Sequence, residues 1–176
     1  MSFAETILAE FEAQSPITRK FLERLPENRL TWKPHEKSLT AGQLALHIAS
    51  VPGSVVRLVQ KGSAPAPDFD AMMKQPASVR EILDAHDNSA IAVRSILPQF
   101  DDSAVQENCR LFQGDTEVLA VPRTFFLRDI MLNHVYQHRG QFSVYLRVLN
   151  VPVPASWGPS ADERPELSQQ TRAQAV

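Results

Sequence analysis

Two histidines near the C-terminal end of the chain are spaced so that they can share a metal ion. Residues 127–150 have the pattern of one long amphipathic helix, in which His134 and His138 lie four residues apart. Side chains with this spacing share one face of a helix, about 5–6 Å apart, so both imidazoles can reach one ion. Because that face is otherwise mainly apolar, with Leu127 and Met131 on it, it is predicted to point into the core.

A third histidine, His47, lies within the apolar stripe of an earlier predicted helix. Leaving three buried imidazoles unpaired costs roughly 1–3 kcal/mol each, whereas one shared ion engages an acceptor nitrogen of each ring. Three protein ligands also leave a position open for water or substrate, as in catalytic zinc sites. His47, His134 and His138 are therefore the predicted metal ligands, although their spacing alone also fits a core whose histidines bind no metal.

The residues around this predicted site exclude one class of metalloenzyme. A zincin-type metalloprotease would need Glu at position 135, where this chain has Val135. Asp and Glu are also missing from the predicted inward faces of both helices. A metal-bound hydroxide would then act without an obvious carboxylate partner, or a histidine would assist it, and the sequence assigns no catalytic residue.

Several other residues could support the site or only the fold. His86 lies on the apolar stripe of the third predicted helix, where we expect a hydrogen-bonded core residue, with a fourth ligand or a neighbour of the ligands as the alternative. His35 is predicted to be a solvated loop residue, and Cys109 a structural thiol. Four polar residues are predicted to line a pocket beside the metal: Gln14, Thr18, Gln43 and Tyr145.

The helical patterns predict an all-α fold, a four-helix bundle with helices at about residues 3–25, 40–62, 78–98 and 122–149. Thr40 and Ser78 are each followed three residues later by Gln43 or Glu81, which is the pattern of a capping box. The proline-containing residues 62–77 form a long crossover loop between helices two and three. Residues 104–121 flank Gly114 with a pattern typical of a short hairpin before the last helix.

Composition predicts one globular domain, residues 1–163, followed by a disordered tail, residues 164–176. The chain has 176 residues, a net charge of −2 and 43% hydrophobic residues, which is ordinary globular usage. Its basic residues are scattered, which argues against nucleic acid as a partner. No apolar run approaches the ~18 residues of a membrane span. Because the single cysteine cannot form an internal disulfide, a cytoplasmic location is predicted.

Several segments together resemble the DinB-like (DinB/YfiT) superfamily. The three histidines occur with HRGQ at 138–141, YLR at 145–147 and PVPASWGPSADE at 152–163. TWKP at 31–34 and LALHIAS at 44–50 are similar to the family's segments before and around its first histidine. The resemblance covers residues 3–163, and its C-terminal half is the more specific part.

This resemblance implies an up-down-down-up four-helix bundle that binds a divalent metal through His47 of helix two and His134 and His138 of helix four. It also implies a homodimer. Some members of the family are S-transferases or isomerases that use bacillithiol, mycothiol or glutathione, others are regarded as metal-dependent hydrolases, and many have no known reaction. Within the matched motifs, Arg139 is expected to pair with the tail and Gly140 to permit close helix packing, and Trp157 to anchor the tail.

Three functions remain open at this level. The first is an enzyme whose divalent metal, Zn or Ni first, activates a low-molecular-weight thiol or water. The second is a non-catalytic module that binds a metal or a small ligand, for instance in a stress response. The third is a purely structural core without metal. A fourth protein ligand would favour the second function over the first, because it would close the position that a substrate needs.

Overall fold

Four helices dominate the computed structural model, which describes residues 1–68 and 73–164. The first three are α1 (Phe3–Glu23), α2 (Ala41–Lys61) and α3 (Val79–Ile96). The fourth is continuous but composite: it begins as α4 (Arg123–Phe125), continues as a π-helix (Phe126–Asn133) and ends as α5 (His134–Val148). All four predicted helices are confirmed, and each observed end lies within two residues of its prediction.

Side chains fix where the second and third helices begin. Thr40 and Gln43 form the predicted capping box, in which each side chain bonds to the other residue's backbone N–H. The predicted box at Ser78 is only half formed. The Ser78 hydroxyl accepts from the backbone N–H of Glu81, but the Glu81 carboxylate accepts from the backbone N–H of Ala77, at 2.8 Å, instead of that of Ser78.

The all-α prediction is wrong in one respect, because the described residues include a three-stranded sheet, β1 (Ser63–Pro65), β2 (Asn108–Gln113) and β3 (Thr116–Pro122). β2 and β3 form the predicted antiparallel hairpin. β1, which lies in the predicted crossover loop, pairs parallel with β2. Three residues that include a proline carry no period-two pattern, so β1 is a strand only because the distant edge of β2 offers hydrogen bonds.

The sheet covers one end of α2. Cys109 and Leu111 alternate with exposed residues along β2, and both are buried. The Cys109 thiol lies 3.6 Å from the backbone oxygen of Leu58 near the end of α2. Arg123 strengthens this contact, since its guanidinium donates to the backbone oxygen of Val59 at 3.0 Å. The hairpin therefore holds the start of the composite fourth helix against the end of α2.

α2 is the central helix of the bundle. It packs most extensively against α3, and its other faces contact the π-helix and α5, while α1 lies against α3. Pro52 lies inside α2 without ending it. Close packing of α2 and α3 depends on Gly53, where an added Cβ would lie 2.8 Å from Ser89 Oγ and 2.9 Å from Ser89 Cα. Gly140, predicted to serve this purpose, is exposed, and an added Cβ there would meet nothing within 4 Å.

The chain after α5 forms a hydrogen-bonded loop. Asp162 accepts from the guanidinium of Arg147 and from the backbone N–H of Val153, and Glu163 accepts from Arg24 and from the backbone N–H of Ala155. Trp157 does not anchor this loop as predicted, because 60% of it is exposed. Almost all of the predicted tail, residues 164–176, lies outside the described residues. The domain limits and the up-down-down-up order stay predictions.

Among the described helices, none combines the length and the apolar character needed to cross a lipid bilayer.

The two glycines predict opposite effects of the same substitution. Gly53→Ala should lower the free energy of unfolding by about 1–3 kcal/mol, because the new methyl group overpacks the contact of α2 with Ser89. Gly140→Ala should raise it by about 0.5–1 kcal/mol, since alanine is the better helix former and the site is open. Urea denaturation of both variants checks this. Stabilisation by Gly53→Ala would show that α2 and α3 are not closely packed there.

Candidate metal centre

The structure brings the three predicted histidines together across one helix contact. His47 comes from the middle of α2, and His134 and His138 come from the first two turns of α5. Their ring centroids lie 5.1 Å apart for His47 and His134, 4.9 Å for His47 and His138, and 4.3 Å for His134 and His138. His47 is buried and the other two are half-buried. No other His, Cys, Asp or Glu among the described residues joins this group.

The nitrogens that face one another are the Nε2 atoms. The Nε2 atom of His134 lies 2.8 Å from that of His138 and 3.4 Å from that of His47. Two nitrogens bound to one zinc ion at 2.0–2.1 Å, at angles between 90° and tetrahedral, would lie roughly 2.8–3.4 Å apart. The observed separations fall in that range, so the three side chains could hold a metal ion with little rearrangement.

The second ring nitrogens also fit ligation through Nε2. Nδ1 of His138 lies 2.7 Å from Oε1 of Gln141 and donates to it, which leaves Nε2 of His138 as an acceptor. In the metal-free arrangement, Nε2 of His134 therefore donates to Nε2 of His138, and Nδ1 of His134 is a buried acceptor without a partner. Binding through Nε2 would place the proton of His134 on Nδ1 instead.

Burial and neighbouring charge favour the neutral form of His47 and His134. Burial, and then the charges that His138 and His134 carry when protonated, lowers the pKa of His47 to about 4. Burial, and then the charge on His138, also lowers the pKa of His134. A neutral imidazole is the form that binds a metal. The site is therefore ready to accept a cation at pH 7 without first losing protons from these two rings.

A π-helix positions His134. The backbone N–H of His134 donates to the carbonyl of Asp129, five residues earlier, in place of the α-helical bond to Ile130 four residues earlier. His134 is also the first residue of α5. The change of helix type therefore falls at a candidate ligand, and π segments occur frequently at functional sites.

The other two histidines and the cysteine lie away from this group, as the sequence predicts for residues with structural roles. His86 is buried between α3 and α1, with Nε2 3.2 Å from both the hydroxyl and the carbonyl oxygen of Ser15. His35 is exposed in its loop. Cys109 is buried, and burial raises the pKa of its thiol. His86 is therefore a hydrogen-bonded core residue and does not supply a fourth ligand.

Two of the predicted pocket residues lie beside an internal cavity. Gln14 and Thr18 line this space together with His86 and Ser89. Its volume of about 20 Å³ is enough for one water molecule and not for a substrate. Oε1 of Gln14 is buried without a partner among the described residues, so such a water would satisfy it.

The other two predicted pocket residues have structural partners. Gln43 caps α2, and its amide donates to the carbonyl of Met73 at 2.8 Å. The Tyr145 hydroxyl donates to the carbonyl of Leu39 at 3.1 Å, and its ring lies edge-on to Trp32 at 5.6 Å. Trp32 thus packs on the bundle as a half-buried side chain. That Gln43 and Tyr145 also line a substrate pocket stays a prediction.

Gln141 is a residue whose role sequence reasoning missed, and its spacing of three from His138 was the available signal. Gln141→Leu should lower the affinity for Zn²⁺ about 10–100-fold, because His138 would lose the acceptor that fixes its tautomer. Gln141→Glu, which keeps an acceptor, should bind at least as tightly as wild type. Competition with a chromophoric chelator measures both. Equal affinities for the Leu and Glu variants would contradict this role.

The lowered pKa values predict that the metal-free protein loses stability in mild acid. Between about pH 6.5 and pH 4 the His47 imidazole binds a proton in the unfolded chain but not in the folded protein. The free energy of unfolding therefore falls as the pH falls. His47→Gln should flatten this dependence. Urea denaturation at pH 7, 6 and 5 in chelator checks it, and equal pH slopes for wild type and variant would contradict it.

Comparison with known proteins agrees with this fold. No curated protein matches the chain. A DinB-like protein of Bacillus cereus is similar to it in structure, with a TM-score of 0.68 and 24% identity over 87% of this chain and 97% of that one. The DinB-like protein YjoA of Bacillus subtilis matches with a TM-score of 0.64 and 18% identity over 91% and 99% of the two chains.

These two similarities concern the fold alone. The family assignment comes from the sequence, since the model of the DinB superfamily matches residues 10–142. That span contains all three histidines of the candidate metal centre. The chain belongs to the DinB superfamily.

Proposed function

We propose that this protein binds one divalent transition metal through Nε2 of His47, His134 and His138. The observation that carries the proposal is the approach of these atoms, with separations of 2.8 and 3.4 Å at His134. The bond from Nδ1 of His138 to Gln141 supports it, because it leaves Nε2 of His138 as the acceptor. Three imidazoles without a thiolate or carboxylate suit Zn and Ni first, and also Cu and Fe.

We propose further that the metal serves catalysis. With only three protein ligands, a bound ion supplies a Lewis acid that can lower the pKa of a thiol or water in an open position. His86, the residue that could have closed the site, is hydrogen-bonded to Ser15 instead. His134 and His138 keep partial exposure, which supports access from solvent.

Of the two nucleophiles, a low-molecular-weight thiol fits this site better than water. Hydrolytic metal sites commonly use a carboxylate as general base, and among the described residues no carboxylate joins the histidine group. A thiolate needs no further base once its proton is lost, because it is the reactive form itself. We therefore favour transfer or isomerisation that depends on such a thiol, with hydrolysis as the second candidate.

The metal content of histidine variants distinguishes a histidine that binds the metal from a histidine that only packs in the core. Purified wild-type protein should carry about one Zn or Ni per chain, and His138→Ala should weaken binding by more than about 100-fold. His86→Ala is the matched control: it should keep the metal and lose about 1–3 kcal/mol of stability through a cavity and an unpaired Ser15. Elemental analysis and chelator competition measure this. Metal kept in His138→Ala but lost in His86→Ala would overturn the ligand assignment.

Activity is tested by a conjugation screen. Metal-loaded protein is incubated with glutathione, bacillithiol or mycothiol and a panel of electrophiles, with His138→Ala as the inactive control. Turnover that needs both the metal and a thiol supports the enzyme. Metal binding without turnover of a thiol or of ester and amide substrates supports the alternative, a non-catalytic metal- or ligand-binding module.

We propose a homodimer, as the family resemblance implies, and a cytoplasmic location without nucleic-acid or membrane partners. Sedimentation at micromolar concentration should give twice the chain mass of 19.7 kDa. A mass of one chain under these conditions would contradict the dimer.

A further inference from the structure

A groove on the outer side of α5 contains a buried cation that has no acidic partner among the described residues. It lies between Phe21 of α1, one face of α5 and the loop after α5. Arg139 lines it and is only 8% exposed. Arg139 does not pair with the tail as the sequence predicted, because the tail carboxylates of Asp162 and Glu163 bond to Arg147, Arg24 and the loop backbone instead.

The guanidinium of Arg139 is held in place without being neutralised. Nη1 donates to the hydroxyl of Thr18 at 3.1 Å, and the guanidinium carbon lies 5.3 Å from the ring centre of Tyr136. No carboxylate among the described residues forms an ion pair with it. The carboxylate of Glu10, which bonds to the neighbouring Tyr136, is already paired: it accepts from Arg128 and from the Tyr136 hydroxyl.

Most of the donors of Arg139 remain available. A guanidinium has five N–H donors, and within the described part of the chain only the bond to Thr18 is formed. The other guanidinium nitrogens form no hydrogen bond within that part, yet none of them is fully buried. Because Arg139 lines the groove, these donors can be reached from it. A charge taken out of water without a counter-ion is costly, and an anion in the groove would remove that cost.

The rest of the groove suits a small anion. Serine hydroxyls from α5 and from the loop line it, together with two glycines that leave space: Ser143, Ser156, Ser160, Gly140 and Gly158. Its volume is about 300 Å³, at the lower end of small-molecule sites. The loop wall is fixed, because the Ser160 hydroxyl donates to the Val153 carbonyl and accepts from the backbone N–H groups of Asp162 and Glu163.

This groove is separate from the candidate metal centre. Its residues on α5, namely Tyr136, Arg139, Gly140 and Ser143, follow one helical stripe. At 100° per residue, that stripe lies on the side of the helix opposite His134 and His138. No histidine lines the groove. We propose that the groove binds the oxyanion of a small molecule, a carboxylate or phosphate, with Arg139 as its anchor, as a second site that does not depend on the metal.

The test is a titration of the purified full-length protein with inorganic phosphate and, separately, with succinate, at ionic strength held constant with sodium chloride. Calorimetry should detect binding of one or both. Binding of phosphate alone or succinate alone identifies which oxyanion the groove prefers. The absence of binding by both would overturn the proposal.

Two variants at Gly140 test the place of binding without touching Arg139. Since an added Cβ there meets nothing within 4 Å among the described residues and Gly140 is exposed, both should fold. Gly140→Glu adds a negative charge to the groove wall and should weaken binding at least about tenfold. Gly140→Gln has the same shape and no charge and is the matched control, so Gly140→Glu should bind at least about tenfold more weakly than Gly140→Gln. Equal binding by the two variants would contradict a site in the groove.

Arg139→Gln should also lose binding, and His138→Ala should keep it, because the metal centre is not involved. If binding is instead lost in His138→Ala and kept in Arg139→Gln, the anion binds at the metal and the groove proposal fails. Should Arg139→Gln not fold, the two Gly140 variants still decide the question.

Discussion

The approach of three imidazoles across the contact between α2 and α5 is the interaction on which the candidate site depends. Each ring is placed by a different local constraint: His47 by the apolar stripe of α2, His134 by the end of the π-helix, and His138 by the next turn and by Gln141. Burial disfavours protonation of His47, so mutual repulsion of charged rings does not separate them at neutral pH. The same burial leaves Nδ1 of His134 without a partner among the described residues.

α5 carries two different kinds of chemistry on its two sides. The side that faces α2 presents neutral nitrogen acceptors, which suit a cation. The opposite side presents Arg139, a buried cation with free donors, which suits an anion. A helix can hold both because Arg139 points about 140° away from His134 and about 100° away from His138, and because Arg139 rests on α1 and Tyr136 and not on the histidines.

The sequence could predict what local pattern determines. The helices follow from apolar stripes and from caps such as Thr40, and the pairing of His134 with His138 follows from their spacing. What it could not predict depends on distant neighbours. Gly53 is needed for close helix packing because Ser89 of α3 lies against it. Gly140 is not needed for packing, because none of the described residues lies against it. The metal ligation itself stays a prediction.

The π-helix was not predicted from the sequence, although the spacing of its apolar residues favours it. Phe126 and Leu127 are both buried, and so are Met131 and Leu132, five residues later. In an α-helix Leu127 and Met131 share a face, but Phe126 and Leu132 would each point about 120° away from it, so the four residues could not all face the core. A π-helix, with its i to i+5 bonding, aligns them. Burial of both pairs thus favours the wider helix, and the wider helix sets the register in which His134 enters α5 opposite His47.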